Sequence, residues 1–161
     1  MRRRQTSFPH RWLVIDGAAQ WPNWLPAGTG IFVVNGRASA RLRRLARMRG
    51  VTLLDEGSGE VARVHDMSEL RRALLRRTAV ILLSPIRPTT SHPGWKPMPP
   101  MRAAALAQLA GRRLFALGGM DEERFRRVEP LGFLGWAGIS AFARESVPPA
   151  ARASRRGFVK T

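Results

Sequence analysis

Ser84, Thr89, Thr90, Ser91 and His92 place four hydroxyls and an imidazole in a short run that also holds Pro85, Pro88 and Pro93 and ends at Gly94. Hydroxyls donate to phosphate oxygens, and imidazole exchanges a proton near neutral pH. The four apolar residues before them, Val80 to Leu83, read as a short buried strand. The polar run therefore falls just past the carboxyl end of a strand, the edge at which α/β folds bind ligands. An ordinary polar surface loop has the same composition. Two later turns carry related chemistry. Gly118 and Gly119 can bring backbone N–H groups close to a phosphate, a job that side chains would obstruct. Ile139 and Ser140 stand where a short helix could begin, and free helix-start amides also suit an anion. Paired glycines serve plain turns equally well. His65 is a proton-transfer candidate, or else a partly buried histidine bonded to a backbone carbonyl or to Asp66.

These groups need a scaffold, and the apolar runs supply one. Strands are expected at 12–15, 31–34, 51–54, 61–64, 80–83, 113–117 and, broken by glycines, 132–139. Residues 18–30 hold Trp21, Pro22, Trp24 and Pro26 and suggest a short irregular helix with packed indoles. Residues 38–49 predict a helix with Ala38, Leu42, Leu45 and Met48 inward and arginines opposite. Asp66 or Ser68 caps a second helix, whose inward residues are Leu70, Ala73, Leu74 and the stem of Arg77. Further helices are expected over 101–110 and after Asp121, the last acidic at its start and basic at its end, as the helix dipole favours. Strands alternating with helices or helix-sized spacers predict a purely parallel α/β topology. An eight-stranded barrel usually needs about 250 residues, so length alone favours an open sheet of five or six strands. The domain spans 12–146, between a loose basic segment at 1–11 and a frayed tail at 147–161.

Composition removes several classes of function. An apolar fraction of 44% excludes a disordered chain. The absence of cysteine excludes disulfides and cysteine-ligated metals. No run approaches the roughly 18 apolar residues of a membrane span, and no apolar segment follows Arg2–Arg4 to make a secretory leader, so a cytoplasmic location is expected. The net charge of +17 comes from 26 arginines and two lysines. They are spread over several helices, without the aromatic-interleaved strand that stacks bases, so no specific nucleic-acid partner is expected.

Four segments in order resemble the thiamine phosphate synthase/TenI family of (β/α)₈ barrels. His65-Asp66-Met67-Ser68-Glu69-Leu70 is similar to the family's strand-five end, and Ser84 to Gly94 to its strand-six signature. Phe115 to Met120 looks like strand seven, and Gly135-Trp136-Ala137-Gly138-Ile139-Ser140 like strand eight. The resemblance covers 65–142 well and 12–57 loosely. It shifts the expected fold to an incomplete or distorted TIM barrel of about seven parallel strands. The family passes through a strand-four unit between strands three and five, and only residues 55–63 fill that space here. A partner subunit covering the gap, as a homodimer, is one way to protect the parallel edge.

The resemblance implies a phosphorylated thiazole or pyrimidine as ligand, its phosphate held at Gly118, Gly119, Ile139 and Ser140. Thr89 and Ser91 match a hydroxyl pair that contacts substrate or pyrophosphate, with Ser84 at the same strand end. His92 stands where synthases carry lysine. His65 matches the histidine of the TenI tautomerase branch. Synthase chemistry expels pyrophosphate and calls for Mg²⁺ with several cations. The family's Gln-x-Arg-x-Lys segment is absent, leaving Arg37 as a loose candidate. Asp55-Glu56 stand in for a metal-binding Asn-Asp pair, and a second metal aspartate belongs to the missing unit. Three readings follow: a phosphate-binding member with synthase activity weak or lost, a tautomerase-like enzyme using His65, and a non-catalytic ligand-binding or regulatory protein on the same scaffold.

Overall fold

The computed structural model describes residues 8–89, 93–111, 113–139 and 142. Seven strands run β1 (Arg11–Asp16), β2 (Thr29–Val34), β3 (Leu53–Asp55), β4 (Val61–Val64), β5 (Val80–Leu83), β6 (Leu114–Leu117) and β7 (Gly135–Gly138). Among the described residues four α-helices accompany them, α1 (Ala40–Met48), α2 (Met67–Leu75), α3 (Pro100–Ala110) and α4 (Glu122–Val128), the last followed by a 3-10 turn at Glu129–Leu131. The strands form one sheet in the order β3-β2-β1-β7-β6-β5-β4. Every pairing is parallel. The sheet curls nearly shut into a distorted TIM barrel, with its seam between β3 and β4.

Side chains alternate across each strand, as a barrel requires. Trp12, Val14, Phe32, Val34, Val80, Leu82 and Phe115 meet in one buried cluster inside. Leu13, Ile81, Leu83, Ala116 and Trp136 face outward onto apolar residues of α2, α3 and α4. Ile31 and Val33 face Leu42 of α1. Trp12 fills the interior, stacked on Phe32 with ring centroids 3.8 Å apart and edge-on to Phe115 at 5.9 Å. Gly30 makes room for that indole, because a Cβ there would lie 2.3 Å from the ring. Upstream of β1, Phe8 lies 6.3 Å from the Trp12 ring, and the His10 carbonyl accepts from the Trp136 N–H.

The register explains how a five-residue link from β3 to β4 is possible. Parallel neighbours normally need a crossover of about a dozen residues. Val64, the last residue of β4, pairs with Leu83, then Ala116, Trp136, Arg11 and finally Thr29, the first residue of β2. The strands are thus tilted so far that one perpendicular row climbs from the end of β4 to the start of β2. This shear brings the end of β3 level with the start of β4. Residues 56–60 span the seam directly.

Three local expectations are corrected. Residues 18–28 form no helix: turns and bends punctuated by Pro22 and Pro26 carry the chain there. Trp21 is half-buried beneath the Arg49 guanidinium, 5.0 Å from the ring centroid, and Trp24 is exposed. On α1 the inward pair is Leu42 and Ala46, whereas Met48 is exposed. At about 100° per residue Met48 falls about 120° away from Leu42, off the packed face. Arg77 is exposed too, with φ at 55°, since α2 has ended at Leu75 and the chain is already turning.

Candidate functional site at the barrel mouth

All strands being parallel, the residues that end or follow them share one face: Asp16, Asn35, Asp55, His65, Ser84, Gly118 and Ile139. On the β1–β4 side this mouth is closed by a ring of hydrogen bonds. The Asn35 side-chain amide donates to Asp16 Oδ2 at 2.9 Å, and Arg63 Nη2 donates to Asn35 Oδ1 at 2.7 Å. Arg63 Nε and Nη2 grip Glu56 at 2.6 and 3.1 Å. The Asn35 backbone N–H completes the ring on Glu56 Oε2 at 2.8 Å. The Asn35 side-chain bond, then the Ala18 N–H, hold the Asp16 carboxyl below its ordinary value, with Arg63 assisting. Asn35 and Arg63 escaped sequence reading because their meeting depends on strand register. The one signal was Arg63 itself, a charge at an inward strand position.

Asp55 is fully buried. Its Oδ2 accepts from the Ala38 N–H at 2.9 Å and from the Arg43 guanidinium, and its Oδ1 accepts from the Ser58 N–H at 2.7 Å. Burial pushes this carboxyl up, but the bonds from Ala38 and Ser58 and the charge of Arg43 together outweigh it and hold it below its ordinary value. Glu60 supports the same knot, accepting from the Asp55 N–H at 3.1 Å. Both carboxylates of the Asp55-Glu56 pair are therefore engaged by guanidinium and amide donors. That surrounding suits a strand-to-strand staple and does not fit Mg²⁺, which prefers near-octahedral oxygen ligands and retained waters. No cluster of three or more metal-ligating acids, histidines or cysteines occurs among the described residues. Arg37 belongs to this side as well, its Nε donating to the Gly57 carbonyl at 3.1 Å.

His65 follows β4, and Glu69 lies one turn into α2. Asp66 caps α2 by accepting from the Glu69 N–H at 2.8 Å, and Glu69 reaches back to the His65 N–H at 2.7 Å. This reciprocal arrangement resembles a capping box, shifted by one residue. The same carboxylate oxygen lies 2.9 Å from His65 Nδ1. The Trp95 ring meets the imidazole edge-to-face at 5.2 Å. The partner of His65 is thus Glu69, not Asp66 or a carbonyl.

On the β5–β7 side backbone turns lie at the strand ends, and Arg124 donates to the Gly119 carbonyl at 2.9 Å and pairs with Asp121 at 3.5 Å. The β5–β6 ladder continues past both strands, with the Ile86 N–H on the Leu117 carbonyl at 3.0 Å and the Arg87 N–H on Gly118 at 3.3 Å. Gly119 has φ of 62°, and a Cβ there would lie 2.4 Å from the Pro88 carbonyl oxygen. The glycine pair therefore lets the β5 loop lie directly on the β6 turn, which brings Ser84–Thr89 and Gly118–Gly119 together. Ser84 is buried, Thr89 half-buried and Ile139 exposed. Ser91, His92 and Ser140 lie outside the described residues. Arg37, Asp55 and Glu56 do not join this group: they bond to the Gly57 carbonyl, to Arg43 and to Arg63 on the β1–β4 side.

A cleft of about 460 Å³ opens along the outer seam, lined by Glu56, Ser58, Arg63, Glu69, Arg72 and Arg76 among others. No helix among the described residues is long and apolar enough to cross a membrane. The family model described as thiamine monophosphate synthase matches residues 62–142, from β4 through β7 to Phe142. No curated protein matches the chain significantly. With just over half of its length matched, on the half of the barrel that carries the glycine turns and His65, the chain belongs to the thiamine monophosphate synthase family.

Proposed function

We propose that this protein binds a thiazole phosphate, or a closely related phosphorylated thiamine precursor, at the β5–β7 side of the barrel mouth, with synthase activity weak or lost. The observation that carries this reading is the asymmetry of the mouth. On the β1–β4 side the guanidiniums of Arg43 and Arg63 are already engaged by Asp55 and Glu56, and Asn35 is bonded to Asp16, Glu56 and Arg63. A departing pyrophosphate would have to compete with those bonds for its cations. The β5–β7 side has glycine turns and hydroxyls, which suit a monophosphate, and Arg124 there is already bonded to the Gly119 carbonyl and to Asp121 instead of standing ready for a pyrophosphate. Thr89, Ser91, Gly118, Gly119, Ile139 and Ser140 are the proposed contacts, with Ser84 beneath them and His92 at the loop end.

A tautomerase-like reaction is the second reading, favoured by the carboxylate on His65 Nδ1. Proton transfer within a bound heterocycle needs neither metal nor a pyrophosphate clamp. A homodimer across the seam belongs to the same proposal, since the free edge of β4 borders the open cleft. Calorimetry with thiazole phosphate tests the main reading: saturable binding that does not require Mg²⁺ supports it. Absence of binding at millimolar ligand refutes it.

A further inference from the structure

We propose that Glu69 is a positioning residue that fixes His65 as the Nδ1–H tautomer and leaves Nε2 as the proton-accepting nitrogen for a phosphorylated heterocycle at the barrel mouth. The assignment of a ligand rests on the proposed function; the assignment of the tautomer does not. An ionised carboxylate only accepts hydrogen bonds. With Glu69 Oε2 at 2.9 Å, Nδ1 must carry the hydrogen in the neutral ring. The lone pair then resides on Nε2.

Three restraints hold the pair. Glu69 is tied at its backbone by Asp66, its side chain is tied to the His65 backbone N–H, and the imidazole packs against Trp95. One carboxylate oxygen thus grips both the backbone and the ring of the same histidine, which limits rotation about the side-chain bonds. The reaction this serves is an internal proton shift. Nε2 takes a proton from one ligand atom, the imidazolium keeps its Nδ1–H on Glu69, and Nε2 returns a proton to another atom of the same ligand. No co-reactant is consumed, and Glu69 compensates the transient positive charge without itself being protonated, in the way a carboxylate orients a catalytic imidazole elsewhere.

Long-range ¹H–¹⁵N NMR of the ligand-free full chain reads the tautomer directly. The wild-type protein is expected to show His65 with Nδ1 upfield, as a protonated nitrogen, and Nε2 downfield. Glu69→Ala should invert that pattern toward the Nε2–H form, and Glu69→Gln, which keeps a capping oxygen and an acceptor, should retain the wild-type pattern. A purely structural role for Glu69 predicts no inversion in a folded Glu69→Ala protein, and that result overturns the proposal. An Nε2–H tautomer in the wild-type protein overturns it without any variant, so a Glu69→Ala chain that fails to fold still leaves a decisive measurement. Loss of thiazole phosphate binding with the Nδ1–H tautomer intact would refute the ligand reading alone.

Discussion

Replacing Asp55 by alanine should destabilise the fold heavily, because this carboxylate ties α1, the β3 end and the link to β4 into one knot. Three donors lose their acceptor: the Ala38 N–H, the Ser58 N–H and the Arg43 guanidinium. A buried N–H left without a partner costs about 1–3 kcal/mol. Breaking a fully buried ion pair costs about 3–5 kcal/mol, but Arg43 is 37% exposed and Glu60 stands 3.5 Å away to receive it. Together these give a loss of about 3 kcal/mol, or about 6–12 °C in Tm for a chain of this size. Urea denaturation at constant slope is the assay, with Asp55→Asn, which keeps one acceptor, losing about half as much. The pH dependence follows from the same contacts. The folded carboxyl lies below its unfolded value, so its stabilising contribution is complete above the unfolded value and is lost as pH falls through the folded one. The acid limb of the stability profile should therefore be shallower in Asp55→Asn. A loss below about 1 kcal/mol for Asp55→Ala, in a protein that still folds, would refute the staple and reopen a ligand role for this residue.

Three further outcomes are expected. Gly119→Ala should lower stability by about 2–3 kcal/mol in urea titration, combining left-handed backbone strain of about 1–2 kcal/mol with the approach to the Pro88 carbonyl. Protein supplied with Mg²⁺, aminopyrimidine pyrophosphate and thiazole phosphate should form thiamine phosphate slowly or not at all by product chromatography. Each absent transition-state contact removes about two to three decades of rate, and brisk metal-dependent turnover would contradict the account. His65→Asn should abolish any isomerisation of a bound thiazole phosphate by about 10²-fold or more while leaving its calorimetric affinity unchanged. Retained isomerisation would remove His65 from the chemistry.

The parts of the fold that were legible in the sequence are those that depend on local pattern. Val80–Leu83 has no polar residue to alternate with, so a strand buried on both faces is its natural form, and β5 is buried throughout. The Asp66 cap and Glu69 three residues later announce α2, but not that the Glu69 carboxylate would reach past the cap to His65. Gly118-Gly119 announced a tight turn, although not that the β5 loop would lie against it. What depended on closing the barrel was not legible. The link from β3 to β4 works only because of the shear of the whole sheet, which no window of residues contains. Asp55 carried the chemistry of a metal ligand, and only the placement of Arg43, Ala38 and Ser58 around it reveals a staple. Asn35 and Arg63 are 28 residues apart and meet across the seam. The 18–28 segment misled because closely spaced tryptophans and prolines do not distinguish a packed irregular turn from a short helix.

One half of the barrel mouth is proposed to bind a phosphorylated ligand, while the cations of the other half are engaged by its own carboxylates. Titration of ¹⁵N-labelled protein with thiazole phosphate, followed by amide shifts, tests it most directly. Saturable shifts are expected at Gly118, Gly119 and Ile139, with the amides of Asn35, Glu56 and Arg63 unmoved. Shifts confined to Asn35, Glu56 and Arg63, or none at millimolar ligand, would contradict it.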